Sequence, residues 1–202
     1  MKPIVIALCG PPGSGKSTLM RTIAALRPAY PIVDYDAFPN ATARPFRDIK
    51  AWFERSADPN EFLTPELEAH LEARTKPNGS GEAATAVLFE TPFGRTHRQT
   101  GRFIDFLVWV DIPLEIALAR QISAMCQQRK NPTLQEYEAF ISGLEVFLQN
   151  YTEIIVEMYK RQAIEVRAGA DLIVDGLKSP AELAETVLAA AAACDPSVKK
   201  LS

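Results

Sequence analysis

A basic excess, a long apolar run and metal-type cysteine spacing are all missing from this chain of 202 residues. Its net charge is −3 and it carries no extended basic run, which argues against a nucleic-acid partner. No stretch approaches the ~20 apolar residues needed to span a bilayer, so a membrane partner is not expected. The apolar run "PIVIAL" near the amino terminus is shorter than the core of an export signal and is not followed by a cleavage site, so the expected location is cytoplasmic. The three cysteines, Cys9, Cys126 and Cys194, share no ligand spacing, and the two histidines, His70 and His97, have no cysteine beside them. Neither a disulfide framework nor a metal site built on these residues follows.

What the chain does have is "GPPGSGKST", Gly10 to Thr18, between an apolar run and a helical pattern. Gly10, four residues, Gly15, Lys16 and Ser17 fit the spacing of a phosphate-binding loop. Such a loop turns successive backbone N–H groups onto phosphate oxygens, and the helix that follows aims its positive end at the same anion. The spacing predicts that Gly10, Gly13, Ser14, Gly15, Lys16, Ser17 and Thr18 hold a nucleoside triphosphate. Lys16 supplies charge to its terminal phosphates, and the Ser17 hydroxyl is placed for Mg²⁺.

Apolar runs alternate with helical patterns along the rest of the chain, the signature of an α/β fold with parallel strands and helical crossovers. Strands are expected at Ile4 to Leu8, Pro31 to Tyr35, Ala86 to Glu90, Ile104 to Asp111 and Asp171 to Val174. Helix starts are marked by Thr64-Pro65, by Thr133 with Glu136, and by Ser179-Pro180 with Glu182, the last two as capping boxes. The apolar positions Tyr137, Phe140, Ile141, Leu144, Phe147, Leu148, Tyr151, Ile154, Ile155 and Met158 recur at helical spacing, and a helix packed across the sheet is the simplest reading. A partner-binding or dimerising face is the alternative, and with it a homo-oligomer. Residues 39–81 have less regular patterning, end in a Gly/Asn/Ser/Pro cluster, and suit an insertion over the active face.

Ligands of parallel sheets gather at the carboxyl ends of the strands. Carboxylates stand at three of them: Asp34 or Asp36 after the second strand, Glu90 after the third, and Asp111 after the fourth. Acids around a phosphate loop would repel its ligand unless a cation lay between, and Mg²⁺ is the ion usually held by one or two carboxylates plus phosphate. For Asp111 a helix-starting role before Pro113 is the competing reading.

"GPPGSGKST", "DYDAF", "FETPFGR", "VWVDIPLEIALAR" and "AGADLIVDG" follow one another in the order of the uridine kinase branch of P-loop kinases, which the chain resembles over most of its length. The resemblance implies a single P-loop domain over 1–202: a three-layer α/β/α sandwich around a five-stranded parallel sheet of order 2-3-1-4-5. It also implies a helical lid at about 120–135. It makes Asp36 of "DAF" the base that takes the proton from the substrate hydroxyl, close to the metal and beside Phe38, with Asp34 as the neighbouring candidate. It assigns Glu90 to the Mg²⁺ site together with Ser17 and Asp36, and makes Arg120 and Arg129 the lid arginines. The cofactors it implies are ATP, with GTP as the alternative, and Mg²⁺. The acceptor is then a small metabolite, a uridine- or cytidine-like nucleoside first.

The chain also departs from that pattern. Gln121, Ala124 and Met125 stand where nucleoside-selective members carry two arginines and an aspartate, which removes contacts a pyrimidine nucleoside would use. Arg95, His97, Arg98 and Arg102, with Arg44 and Arg47 in the insertion, form another basic group, of which Arg95 is the best placed to contact substrate. A regulatory GTPase is excluded because neither D-x-x-G nor N-K-x-D occurs. A partner-coupled ATPase or switch is the alternative that a phosphate loop leaves open.

Overall fold

The computed structural model describes residues 2–38, 49–76, 85–129 and 131–194. Arg44, Arg47 and the turn cluster that closes the insertion lie outside the described residues.

Five parallel strands form one sheet: β1 (Ile4–Cys9), β2 (Ile32–Asp34), β3 (Ala86–Glu90), β4 (Phe106–Asp111) and β5 (Leu172–Asp175). Their order is β2-β3-β1-β4-β5, the order the resemblance implies. The register aligns Leu8 and Asp34 with Glu90, and Asp111 with Asp175, so the chemically interesting strand ends form one rim. The strands differ from the sequence expectation only at their ends, by one or two residues.

Because side chains alternate across a strand, β1 feeds two cores. Val5, Ala7 and Cys9 face a layer that includes Leu67, Leu71 and Val166, while Ile6 and Leu8 face Leu19, Ile23, Ala184 and Val187. The second set belongs to α1 (Lys16–Leu26) and to the carboxyl-terminal helix Pro180–Cys194. The first belongs to helices on the opposite face, which completes a three-layer sandwich. One of these is Pro65–Thr75, whose Leu67 and Leu71 are fully buried. The insertion is therefore more regular than its patterning suggests. It includes α2 (Ile49–Arg55) and α3 (Pro65–Thr75), and α3 is part of the sheet's covering layer.

The chain continues through α4 (Arg98–Gly101) and α5 (Leu114–Gln127) to a helical stretch made of α6 (Leu134–Asn150), a π turn at Tyr151–Ile155 and α7 (Val156–Arg167). The expectation that this stretch packs across the sheet holds only for its later half. Tyr151, Ile154 and Val166 are buried, whereas α6 has no buried residue and Leu134 and Tyr137 are 74% and 53% exposed. A period of 3.6 encodes an apolar stripe but not what covers it. The last helix, α8 (Pro180–Cys194), and α6 both begin with the expected capping boxes, Ser179 with Glu182 and Thr133 with Glu136. Thr64 precedes α3 without capping it: its N–H and hydroxyl both donate to Gln99 Oε1 instead.

Candidate functional site

Between β1 and α1 the chain folds into a cradle that only glycine permits at its tightest point. Gly13 has φ 84°, and a Cβ there would run into the Ala117 carbonyl of α5. The loop is therefore clamped against α5 with its backbone exposed on the ligand side. Residues Gly13 to Thr18 line a cavity of about 580 Å³, together with Asp36, Glu90 and Arg120. Of the residues the sequence assigns to the phosphate loop, Gly10 lies behind the cavity wall, against the Val110 carbonyl.

Three polar groups meet at the floor of this cavity. Lys16 Nζ donates to the Pro11 carbonyl at 3.1 Å and lies 3.8 Å from Glu90 Oε1, which also accepts from Ser17 Oγ at 3.2 Å. Lys16 is almost wholly buried, and burial lowers its pKa against the opposing pull of Glu90, Cys9 and Asp36. Burial likewise raises Glu90, offset by Lys16 and by the Ser17 hydrogen bond. Glu90 Oε2 and Ser14 Oγ are buried without a hydrogen-bond partner among the described residues. Buried polar atoms without partners are costly unless a ligand or water completes them.

Asp36 reaches the same cavity from the single 3₁₀ turn Tyr35–Ala37 that follows β2. Its neighbour Asp34 accepts the Asp36 N–H at 2.9 Å, so Asp34 shapes the turn while the Asp36 carboxylate is presented. Burial pushes Asp36 up, Asp34 adds to the rise, and Lys16 opposes it. Phe38 closes the turn with its N–H on the Tyr35 carbonyl and its ring 5.5 Å from His70.

A hard cation fits this donor set. Ser17 Oγ, the unpartnered Glu90 Oε2 and the Asp36 carboxylate are oxygen donors on one cavity, next to a phosphate cradle. The described residues contain no group of three or more His, Cys, Asp or Glu that could hold a metal ion unaided. Sparse protein ligation of this kind suits Mg²⁺, which keeps waters and phosphate oxygens in its shell.

The arginines divide. Arg120 lines the cavity, and its Nη1 donates to the Gly176 carbonyl at 3.0 Å. Arg129 lies away from it, donating to the Met125 carbonyl and stacking 4.0 Å from the centre of the Phe140 ring. Arg95 is not brought to the site either. It pairs with Asp171 at 2.6 Å and donates to the Gly169 and Asp105 carbonyls, at the segments that lead into β4 and β5, opposite the phosphate cradle. Arg102 pairs with Glu68. Asp111 accepts from Trp109 Nε1 and lies 3.5 Å from Arg167, so it is not among the cavity's carboxylates.

Other cavity residues have little local signature. Gly176 and Lys178, in the turn between β5 and α8, line it together with Pro180 at the start of α8 and Arg21 on α1. A Cβ on Gly176 would stand 2.9 Å from the Asp111 carbonyl and 3.1 Å from that of Ser14. The Asp-Gly pair after the last strand is the only sequence sign of this close approach.

No protein-family model matches the sequence, and no curated protein does. Among solved structures the chain is similar to shikimate kinase from Aquifex aeolicus, at 19% identity over 94% of this chain and 97% of that one, with a TM-score of 0.51. It is also similar to TT1252 from Thermus thermophilus, at 22% identity over 95% of this chain and 98% of that one, with a TM-score of 0.53. What is shared is the fold of the P-loop kinases, and the likeness does not single out the uridine kinase branch.

Proposed function

We propose that this protein is an ATP- and Mg²⁺-dependent phosphotransferase that moves the γ-phosphoryl group to a hydroxyl of a small metabolite. The observation that carries the reading is the convergence of Lys16, Ser17, Glu90 and Asp36 on one cavity beside the phosphate cradle. Hydrolysis alone needs no carboxylate of its own for an acceptor hydroxyl.

In this reading the loop's N–H groups and Lys16 hold the β- and γ-phosphates and offset the charge that builds as transfer proceeds. Ser17, Asp36 and Glu90 would hold Mg²⁺, which when bound would add neutralisation of phosphate charge. Asp36 accepts the proton of the acceptor hydroxyl, whose oxygen forms the new bond to phosphorus as the bond between the γ-phosphorus and the bridging oxygen breaks and ADP leaves. Its raised pKa matches it better to this task than an ordinary aspartate. Arg120 stands at the cavity wall, within reach of a bound nucleotide, while Arg129 could reach the phosphates only if the 120–135 segment closed as a lid. We place the whole chain in one P-loop domain with the 39–81 insertion.

A uridine- or cytidine-like nucleoside, the first candidate from the order of the sequence motifs, heads the acceptors to test. Purified protein with Mg²⁺ and ATP or GTP, offered nucleosides, sugars, vitamins and amino alcohols, should convert one of them to a product heavier by a single phosphate. Acceptor-independent ADP release with no such product would instead support the ATPase or switch reading.

A further inference from the structure

A second cavity, of about 160 Å³, forms where α2, the Pro92–Phe93 loop and α7 meet. Its walls are Trp52, Phe62, Phe93, Met158, Tyr159 and Val166. Phe62 stands 5.2 Å from both Trp52 and Phe93, edge-on to the first and tilted on the second, so the rings form a continuous apolar wall. The Trp52 indole N–H is spent on the Asp58 carbonyl. At the rim, Gln162 donates to the Pro92 carbonyl, and Glu165 is engaged by Arg161 at 2.8 Å. The two charged groups at the rim, Arg161 and Glu165, thus compensate each other.

The position of this cavity ties it to the phosphate site. Pro92 and Phe93 follow directly on Glu90 and Thr91, and the Phe93 ring lies 5.8 Å from that of Tyr35, the residue before Asp36. The loop after β3 thus carries Glu90 of the phosphate cavity and Phe93 of the aromatic wall, and Tyr35, beside Asp36, packs on that Phe93 ring.

Size and lining narrow the occupant. A dry apolar cavity of roughly 150 Å³ accommodates benzene. A pyrimidine base would set most of its ring carbonyl and N–H groups against apolar walls, a costly arrangement. An aromatic ring would instead meet Trp52, Phe62 and Phe93 in favourable edge and offset geometries, with Met158 adapting to its outline. We infer that this cavity receives a compact, neutral apolar ring of the phosphoryl acceptor, making the acceptor class an alcohol with an aryl or similar apolar group close to its hydroxyl. The inference rests on the phosphotransfer reading, with Asp36 taking the hydroxyl proton and ATP as the donor.

2-Phenylethanol and ethanol share a hydroxyl and differ by the ring, so they isolate its contribution. 2-Phenylethanol should change the fluorescence of the protein, which has Trp52 in the wall, in a saturable way without nucleotide. Met158→Phe, which fills the cavity, and Met158→Lys, which charges it, should each weaken that binding by about tenfold or more, with circular dichroism confirming the fold of both. With Mg²⁺ and ATP, phosphorylation should show kcat/KM at least about tenfold higher for 2-phenylethanol than for ethanol. Absence of saturable binding, equal binding by the Met158 variants, or tighter binding of choline would overturn the inference. Phosphorylation of uridine without any 2-phenylethanol binding would overturn it while leaving phosphotransfer standing. Saturable 2-phenylethanol binding with no phosphorylated product from any acceptor would remove the phosphotransfer reading, and the acceptor claim with it.

Discussion

Asp36 and Lys16 share a cavity but carry different loads, and substitution separates them. Asp36→Asn keeps the shape of the 3₁₀ turn, because Asp34 accepts the backbone N–H at this position and not the side chain. Turnover should fall by ~10²–10⁴ while nucleotide affinity, read by calorimetry, stays close to that of the native protein. Lys16→Ala should damage both, since the ammonium is the only lysine charge buried among the described residues of the cradle. His97 sets a different residue-scale expectation. It is fully buried, its Nε2 lies 2.8 Å from the Phe62 carbonyl and its Nδ1 2.7 Å from Thr100 Oγ1. Nε2 must therefore carry the proton it donates, leaving Nδ1 to accept from the hydroxyl. Burial holds the ring's pKa below its ordinary value, so the unfolded chain takes up the proton first as pH falls. The contribution of His97 to stability is complete above about pH 6.5 and is lost as pH drops through the lowered folded value. Thermal denaturation between pH 5 and 8 should show this loss, and His97→Gln should flatten that part of the profile. The turn of the loop around Lys16 was legible from spacing because the glycines and the helix start that shape its backbone are local, although its partners Glu90 and Ala117 are distant in sequence. Arg95 and Arg129 were not: a long side chain near a strand end or helix can reach several partners, and here each reaches carbonyls away from the cavity.

At the scale of elements, the helical stretch from Leu134 to Arg167 changes character at its π turn. Ile154 is buried within that turn, whereas Tyr137 stands in solvent before it. Ile154→Ala should cost ~2–5 kcal/mol of stability by leaving a cavity. Tyr137→Ser should stay within ~0.5 kcal/mol, as expected of an exposed position, and urea denaturation of the two variants checks the contrast. Equal losses would mean that the early half of the stretch is packed in solution. Arg95 belongs to this scale as well, because it ties together the segments leading into β4 and β5. Arg95→Leu should lower the melting temperature without altering the KM of the acceptor; a KM effect with unchanged melting would return Arg95 to the substrate site. The strands were readable because β-branched and apolar runs bounded by turns have few alternatives. The role of α3 was not, since Leu67 and Leu71 acquire meaning only when the sheet face they cover is known.

For the whole molecule, the strand order decides the chemistry that is available. With β1 between β3 and β4, the phosphate loop, Glu90 and the turn after β2 open on one rim, and β5 brings Gly176 against Ser14 from the other side. The parallel α/β plan and its motif order could be read from the chain, whereas the closeness of Gly176 depends on a packing distance between segments far apart in sequence. No helix among the described residues is long and apolar enough to cross a membrane. In the proposed reaction phosphate passes from nucleotide to acceptor instead of to water. The most direct test is the stoichiometry of a single reaction: ADP and phosphorylated acceptor, both quantified by mass spectrometry, with and without acceptor and with Asp36→Asn as control. One phosphorylated molecule should form per ADP, with little ADP without acceptor and both products falling together in the variant. ADP formed at the same rate with or without every acceptor, matched only by free phosphate, would contradict it.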